Sequence, residues 1–255
     1  MSAAPTGAVL FCAFAFSCRC FLRQFFLFAV LIAALGLGGC AASSSPLVQS
    51  FQALVNTGGT GVAKDAIPDS PDARFSYLRV QVSGFPPGLM VLGYVDPHPA
   101  GPVEVWYSAN RETLRLQNGR VIGIVGTQHD WSSVQFSSAP PAWPELTEVG
   151  SIFTRERDEM PGYHFGIREQ MKVQAWSAVP PVAMPTSLPA DKAAGYRWYR
   201  ESVQAQQGQA APTLPDAWFA WGKHRGESQI VYSEQCLSPD FCLKLQRWPL
   251  LEEAN

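Results

Sequence analysis

Asn118-Gly119, set between Thr113-Leu114-Arg115-Leu116-Gln117 and Arg120-Val121-Ile122-Gly123-Ile124-Val125, constrains the fold more than any other stretch. Asn-Gly tolerates positive φ at both central positions of a two-residue turn whose twist matches that of paired strands, so the stretch predicts a β-hairpin. Leu114 and Leu116 alternate with Arg115 and Gln117, which leaves one face of that hairpin wet. The segments around it follow the same pattern. Residues 77–82 alternate, Phe85-Pro86-Pro87-Gly88 turns the chain, and residues 89–95 and 103–108 supply two more strands. Further strands are predicted at 150–157, 163–176, 196–203, 217–221, 229–233 and 243–247. Irregular chain is predicted around Trp143 (137–145), at 180–189 and in the Gln/Ala/Pro-rich stretch 204–215. Many short strands between turn signals, without a repeat of fixed period, predict a mainly β protein, an antiparallel barrel-like or sandwich domain. One helix is expected ahead of it, from Leu47, Phe51, Leu54 and Val55 at helical spacing, ended by Gly58-Gly59-Thr60-Gly61.

The N-terminus carries a secretion signal of a particular kind. Arg19 and Arg23 precede a charge-free apolar run that ends in Leu37-Gly38-Gly39-Cys40. Basic region, apolar region and small-residue cleavage site are the parts of a signal peptide. A cysteine directly after two glycines makes the site a lipobox. The run from Phe25 to Leu37 is short for a membrane span. The expected organisation is therefore a signal peptide at 1–39, a lipidated tether at 40–46 beginning with Cys40, and one mainly β domain at 47–255. Buried acyl chains would hold such a domain on the membrane without a spanning helix. Ala41 and Ala42 follow Cys40 in place of an aspartate; the resemblance of this sorting position to that of enterobacterial lipoproteins implies the outer membrane, with the domain facing the periplasm.

Export also explains the cysteines. Cys12, Cys18 and Cys20 leave with the signal and Cys40 takes lipid, so Cys236 and Cys242 remain as a close pair in an oxidising compartment. A disulfide is expected there. No metal site is expected, since no histidine lies near the pair in sequence. The part after the signal is mildly acidic, which gives no reason to expect nucleic acid as a partner. No cofactor motif is present: there is no phosphate loop and no dinucleotide fingerprint.

Signals for catalysis are sparse. The nucleophile-elbow and zinc-protease motifs are absent. His129-Asp130-Trp131 sets a histidine beside an aspartate, but neighbouring residues on a strand point to opposite faces and seldom pair. Glu156, Asp158 and Glu159 are interleaved with Arg155 and Arg157, as in a solvated strand end. A carboxylate pair drawn from Asp96, Glu104, Asp130 or Asp158 would be needed for glycan-modifying chemistry. His98 reads as a turn residue, and His164 and His224 are isolated in sequence.

Aromatic residues are the more informative excess. Trp106, Tyr107, Trp131, Trp143, Trp176, Trp198, Tyr199, Trp218 and Trp221 are many large rings for a chain of this length. Such rings either build a core or, where exposed, stack on sugars and partners. Trp106, Tyr107 and Trp131 are the first candidates for glycan contact, and Trp218 and Trp221 with Phe219 are candidates for lining a groove.

The stretch from Tyr77 to Trp131 resembles the YjbF/GfcB family of exopolysaccharide and group 4 capsule lipoproteins. The resemblance rests on Leu92-Gly93-Tyr94-Val95, Glu104-Val105-Trp106-Tyr107-Ser108, Leu114-Arg115-Leu116-Gln117-Asn118-Gly119-Arg120, Gly126 and Asp130-Trp131, in that order after a lipobox. It implies a mainly antiparallel β fold and a periplasm-facing outer-membrane lipoprotein that works with machinery secreting a surface polysaccharide. It supplies no catalytic residues. The expected function is an accessory role in exopolysaccharide or capsule secretion, by binding the glycan or a capsule-export protein. The alternatives are a periplasmic glycan-modifying enzyme and a structural envelope lipoprotein.

Overall fold

The computed structural model describes residues 67, 71–208 and 212–250. The expected signal peptide, Cys40, the tether and the helix at 47–55 lie outside the described residues. Twelve strands follow in chain order: β1 (Tyr77–Val82), β2 (Gly88–Asp96), β3 (Val103–Tyr107), β4 (Thr113–Gln117), β5 (Arg120–Val125), β6 (Asp130–Phe136), β7 (Ser151–Met160), β8 (His164–Trp176), β9 (Arg197–Gln207), β10 (Ala217–His224), β11 (Glu227–Ser238) and β12 (Phe241–Trp248). Among the described residues a 3-10 turn (Trp143–Glu145) separates β6 from β7, and a short helix, α1 (Ala190–Ala194), precedes β9.

Every strand pairs antiparallel with its neighbours in sequence, and β12 returns to pair with β1 from Tyr77↔Trp248 to Val82↔Leu243. The twelve strands thus form one sheet whose pairings run full circle. Closure satisfies the edge groups that an open sheet would leave unpaired. The circle is uneven, because β5 and β6 register at a single pair, Ile124↔Trp131. It is also not an open tube. The β4–β5 turn, with Asn118 at φ 50° and Gly119 at φ 82°, packs across the interior against β11. A Cβ on Gly119 would lie 2.6 Å from the Ile230 side chain, so only glycine admits this approach. The Gln235 side chain then accepts from Val121 N at 3.0 Å and donates to Gly119 O at 2.9 Å. Opposite walls of the sheet are stitched together there.

Four groups of apolar side chains are buried among the described residues, the smallest being Val103, Val105 and Ile122 with Val134 and Phe136 against them. Around Trp106 and Trp131 gather Leu78, Val80, Leu114, Leu243 and Leu245. A second group holds Trp143, Phe153, Tyr199 and Phe219. The third, with Leu188, Ala193, Trp198 and Tyr232, forms where the segment carrying α1 covers the sheet. Trp198 Nε1 donates to Ala193 O at 2.8 Å, and Ser187 and Gln246 bond each other at 2.5 Å. The chain at 180–189 has no regular structure, but it packs as a cover.

Two sequence expectations fail. Asp130–Phe136 is a strand, whereas no strand is expected there from the sequence. A register shift between Trp131 and Ser133 breaks the alternation that would have marked it. The stretch at 204–215 is not irregular throughout. β9 continues to Gln207, paired with Arg168 of β8, and Leu214 is buried in the group around Trp106.

Candidate functional site

Trp106 and Trp131 were the first candidates for glycan contact, and the structure seals both inside. Trp106 is 0% exposed and Trp131 3% exposed. Trp106 lies opposite Leu92 and Leu114 on the flanking strands, among side chains that face the core. Its Nε1 donates to Glu104 at 3.1 Å, and the Arg247 guanidinium lies 5.1 Å from its ring centre. Trp131 Nε1 donates to Leu237 O at 3.2 Å. Arg155 and Arg157 sit 5.0 and 5.1 Å from its ring centre. Neither ring has a free face for a sugar, so both are corrected to core residues.

Tyr107 is the exception among the three. It follows Trp106 on β3, and strand alternation turns it the other way, 39% exposed. Tyr94 of β2 joins it, 49% exposed, with ring centres 6.4 Å apart and tilted by 41°. A local irregularity produces this pairing. Between Leu92↔Trp106 and Tyr94↔Val105 the register of β2 and β3 shifts, with Gly93 as the extra residue. Such a bulge reverses which face the following side chains take. Without it, Tyr94 would share the inward side of Leu92. Gly93 has a second effect, since a Cβ there would lie 2.5 Å from the Tyr107 ring. The absent side chain lets Tyr107 lie against the strand backbone.

The outcome is an outward aromatic pair flanked by Val95, Asp96 and Arg115. The hydrogen bond with Tyr107, with the charges of Tyr107 and Asp96, holds the Tyr94 phenol above its ordinary value, against the pull of Arg115. The Tyr94 phenol therefore stays protonated at neutral pH and keeps an O–H to donate. The surface combines two flat apolar faces with donors and acceptors at its rim, as stacking on a sugar ring requires.

The carboxylates considered for catalysis, Asp96 apart, are held by other partners. Asp130 accepts from Gly126 N, Thr127 N and the Thr127 hydroxyl, fixing the β5–β6 turn. His129 instead stacks on Phe241, with ring centres 5.3 Å apart. Asp158 accepts from Gly166 N at 2.7 Å in the β7–β8 hairpin. Glu104 is gripped by Arg247, whose Nη2 lies 2.8 Å from each of its oxygens. Glu156 pairs with Arg168, and Glu159 with Arg157 and His164. Among the described residues no cluster of three His, Cys, Asp or Glu side chains could hold a metal. Cys236 and Cys242 face each other across β11 and β12 and are disulfide-bonded.

Sequence reasoning had no access to the buried charge. Arg120 donates through Nε to Glu201 at 2.6 Å, and its guanidinium stacks 3.8 Å from the Trp143 ring centre. Burial pulls the Arg120 value down while Glu201 opposes it. Glu169 is enclosed by Arg155 at 2.6 Å and Arg157 at 3.2 Å. Burial pushes its value up, but the two arginines outweigh burial and hold it below the ordinary carboxylate range. These pairs couple β5 to β9 and β7 to β8. They account for Arg155 and Arg157 as interior residues, not a solvated strand end.

Residues 49–179 match the family described as group 4 capsule polysaccharide lipoprotein gfcB, YjbF, over half of the chain. The chain belongs to that family. The matched region contains Tyr94, Tyr107, the Gly93 bulge and the β4–β5 turn. Membership in this capsule polysaccharide lipoprotein family supports a role in the biosynthesis or export of capsule or exopolysaccharide. Among solved structures, the chain is similar to the crystal structure of the hypothetical lipoprotein YmcC from Escherichia coli K12. That match has 15% identity and a TM-score of 0.50, covering 85% of this chain and 100% of that one. At that identity the likeness speaks for the fold. Among curated proteins, none matches the chain. No helix among the described residues is long and apolar enough to cross a membrane.

Proposed function

We propose that this YjbF-family protein is a periplasm-facing accessory factor for capsule or exopolysaccharide secretion, anchored to the outer membrane by lipid on Cys40. In this reading it holds the glycan across the Tyr94–Tyr107 face. The observation that carries the reading is the Gly93 bulge, which turns Tyr94 outward and seats Tyr107 beside it. Two tyrosines left in water on an otherwise ordered sheet forgo apolar burial, and a stacking partner would recover it. Family membership supplies the polysaccharide context, and the lipobox supplies the anchor. Glycan-modifying chemistry is the weaker reading, because Glu104, Asp130 and Asp158 are engaged in ion pairs or turns.

The test replaces the resident gene with a Tyr94→Ala/Tyr107→Ala version and measures surface and secreted polysaccharide. The expected result is a loss approaching that of a deletion strain, with unchanged protein level. Normal polysaccharide output would reject the reading. A Cys40→Ser version should fractionate away from the outer membrane, and unchanged fractionation would reject the anchor.

A further inference from the structure

A second feature of the fold lies apart from the tyrosine face. At the end of the sheet where β3, β5 and β11 begin and β12 ends, the walls part around a cleft of about 290 Å³. Its wall includes Glu104, Arg120, Trp143, Trp221, Gln229 and Arg247, contributed by five strands and the 3-10 turn. Neither Tyr94 nor Tyr107 lines it. The size falls at the lower end of small-molecule clefts, and the mouth of a closed sheet is a common place for one.

We infer that this cleft is a separate carbohydrate site that takes an uncharged sugar unit at the end of a glycan chain. The composition of the wall comes first. Half-buried Trp221 gives an apolar surface, and Gln229, Ser228 and Asn118 give amide and hydroxyl groups beside it. Indole beside hydrogen-bonding groups matches the two-sided chemistry of a sugar ring.

Charge then decides the class of sugar. Both arginines in the wall are already neutralised, Arg247 by Glu104 at 2.8 Å and Arg120 by Glu201 at 2.6 Å. Exposed Glu227 at the rim adds a further negative charge. An acidic sugar would meet Glu104 and Glu227 without an unpaired cation to receive it, and like charges at short range repel. A hydroxyl both donates and accepts, so it can join these ion pairs without displacing a partner.

A buried donor also points to a ligand. Arg120 is 4% exposed, and among the described residues its Nη2 has no hydrogen-bond partner. Buried donors are seldom left unpaired, and those that are call for an explanation. Arg120 lines the cleft, so a small rearrangement around a bound hydroxyl would satisfy that group.

Depth sets the mode of binding. Beneath Arg120 the interior is packed, leaving a cavity of about 20 Å³. That is room for roughly one water. The cleft is therefore blind, and a polymer cannot thread through it. The walls are also set in advance. Trp143 Nε1 donates to Asn118 O at 2.9 Å, and Arg247 Nε donates to Ile230 O at 3.4 Å. Side chains locked by their neighbours are what a selective site requires.

The inference rests on reading the protein as a glycan binder, but not on the tyrosine face, and its test keeps the two apart. The purified full chain is titrated with glucose, galactose and rhamnose as neutral probes and with glucuronate as the acidic one. Saturation-transfer NMR reads the contact. At least one neutral sugar should bind saturably. Trp221→Ala, and independently Gln229→Ala, should weaken that binding roughly tenfold, equivalent to about 1.4 kcal/mol. Melting curves of both variants confirm folding, and either variant alone suffices for the test. No binding of any neutral sugar, binding untouched by both substitutions, or preference for glucuronate would each overturn the inference. Failure of the tyrosine face shows separately, as polymer binding undiminished in Tyr94→Ala/Tyr107→Ala.

Discussion

Trp106 and Tyr107 are consecutive residues that end in opposite regions. One is sealed in an interior where arginines cover the aromatic rings, and the other lies on an outer face with Tyr94. The interior uses aromatic surface to bury charge. Arg120 against Trp143, and Arg155 and Arg157 against Trp131, place guanidinium groups on indole rings while carboxylates neutralise them. The outer face uses aromatic surface without covering it. The difference teaches that an excess of aromatics says nothing about exposure until strand parity and bulges are known.

Substitutions should separate the two regions, and the largest effects belong to the interior. Arg120→Met leaves Glu201 charged and buried without its partner, which should cost about 3–5 kcal/mol of stability. Urea unfolding measures it, and the Arg120→Met/Glu201→Gln pair should recover part of the loss. If the single variant unfolds like the parent, the buried pair is not what couples β5 to β9. Trp106→Ala empties a filled core position and should cost about 3–5 kcal/mol. Tyr107→Ala, one residue on, should cost under about 1 kcal/mol. Equal losses at the two positions would break the contrast between the regions.

Removing the cross-strand disulfide with Cys236→Ser/Cys242→Ser should cost about 2 kcal/mol, because the loop it closes is short. Thermal unfolding with and without reductant should reproduce that difference. Gly93→Ala sharpens the comparison further. The new methyl would occupy the place of the Tyr107 ring, and since that ring can swing away, stability should fall by under about 1 kcal/mol. Polysaccharide binding should weaken even so. Unchanged binding would mean that the seating of Tyr107 is irrelevant.

A further effect concerns pH. His224 is pushed down to about 4 from its ordinary 6.5 by burial, and then by Arg247 and Arg225. The unfolded chain therefore binds a proton between those values that the folded protein refuses. Stability should fall as pH drops from about 6.5 to about 4, and His224→Asn should flatten that slope. A variant that keeps the full slope would assign it to other groups.

Much of the fold was readable from local pattern. The Asn118-Gly119 hairpin is present as β4 and β5, and Tyr77–Val82 is β1, because turn chemistry and alternation act over neighbouring residues. What stayed hidden depends on distance or on broken parity. β6 escaped because a bulge interrupts its alternation. The outward turn of Tyr94 depends on one extra residue, Gly93, and no periodicity announces it. Arg120 and Glu201 meet across 81 positions of sequence, and the cleft draws on six separate elements, so neither was visible in any one stretch. Trp221 was read as a candidate groove residue and does line the cleft, whereas Phe219 and Trp218 are buried.

The most direct measurement is a calorimetric titration of the purified full chain with the host's own extracellular polysaccharide, run in parallel on Tyr94→Ala/Tyr107→Ala. The account predicts saturable binding by the parent and marked weakening in the variant, with matching melting curves. No saturable binding by the parent, or undiminished binding by the variant, would contradict it.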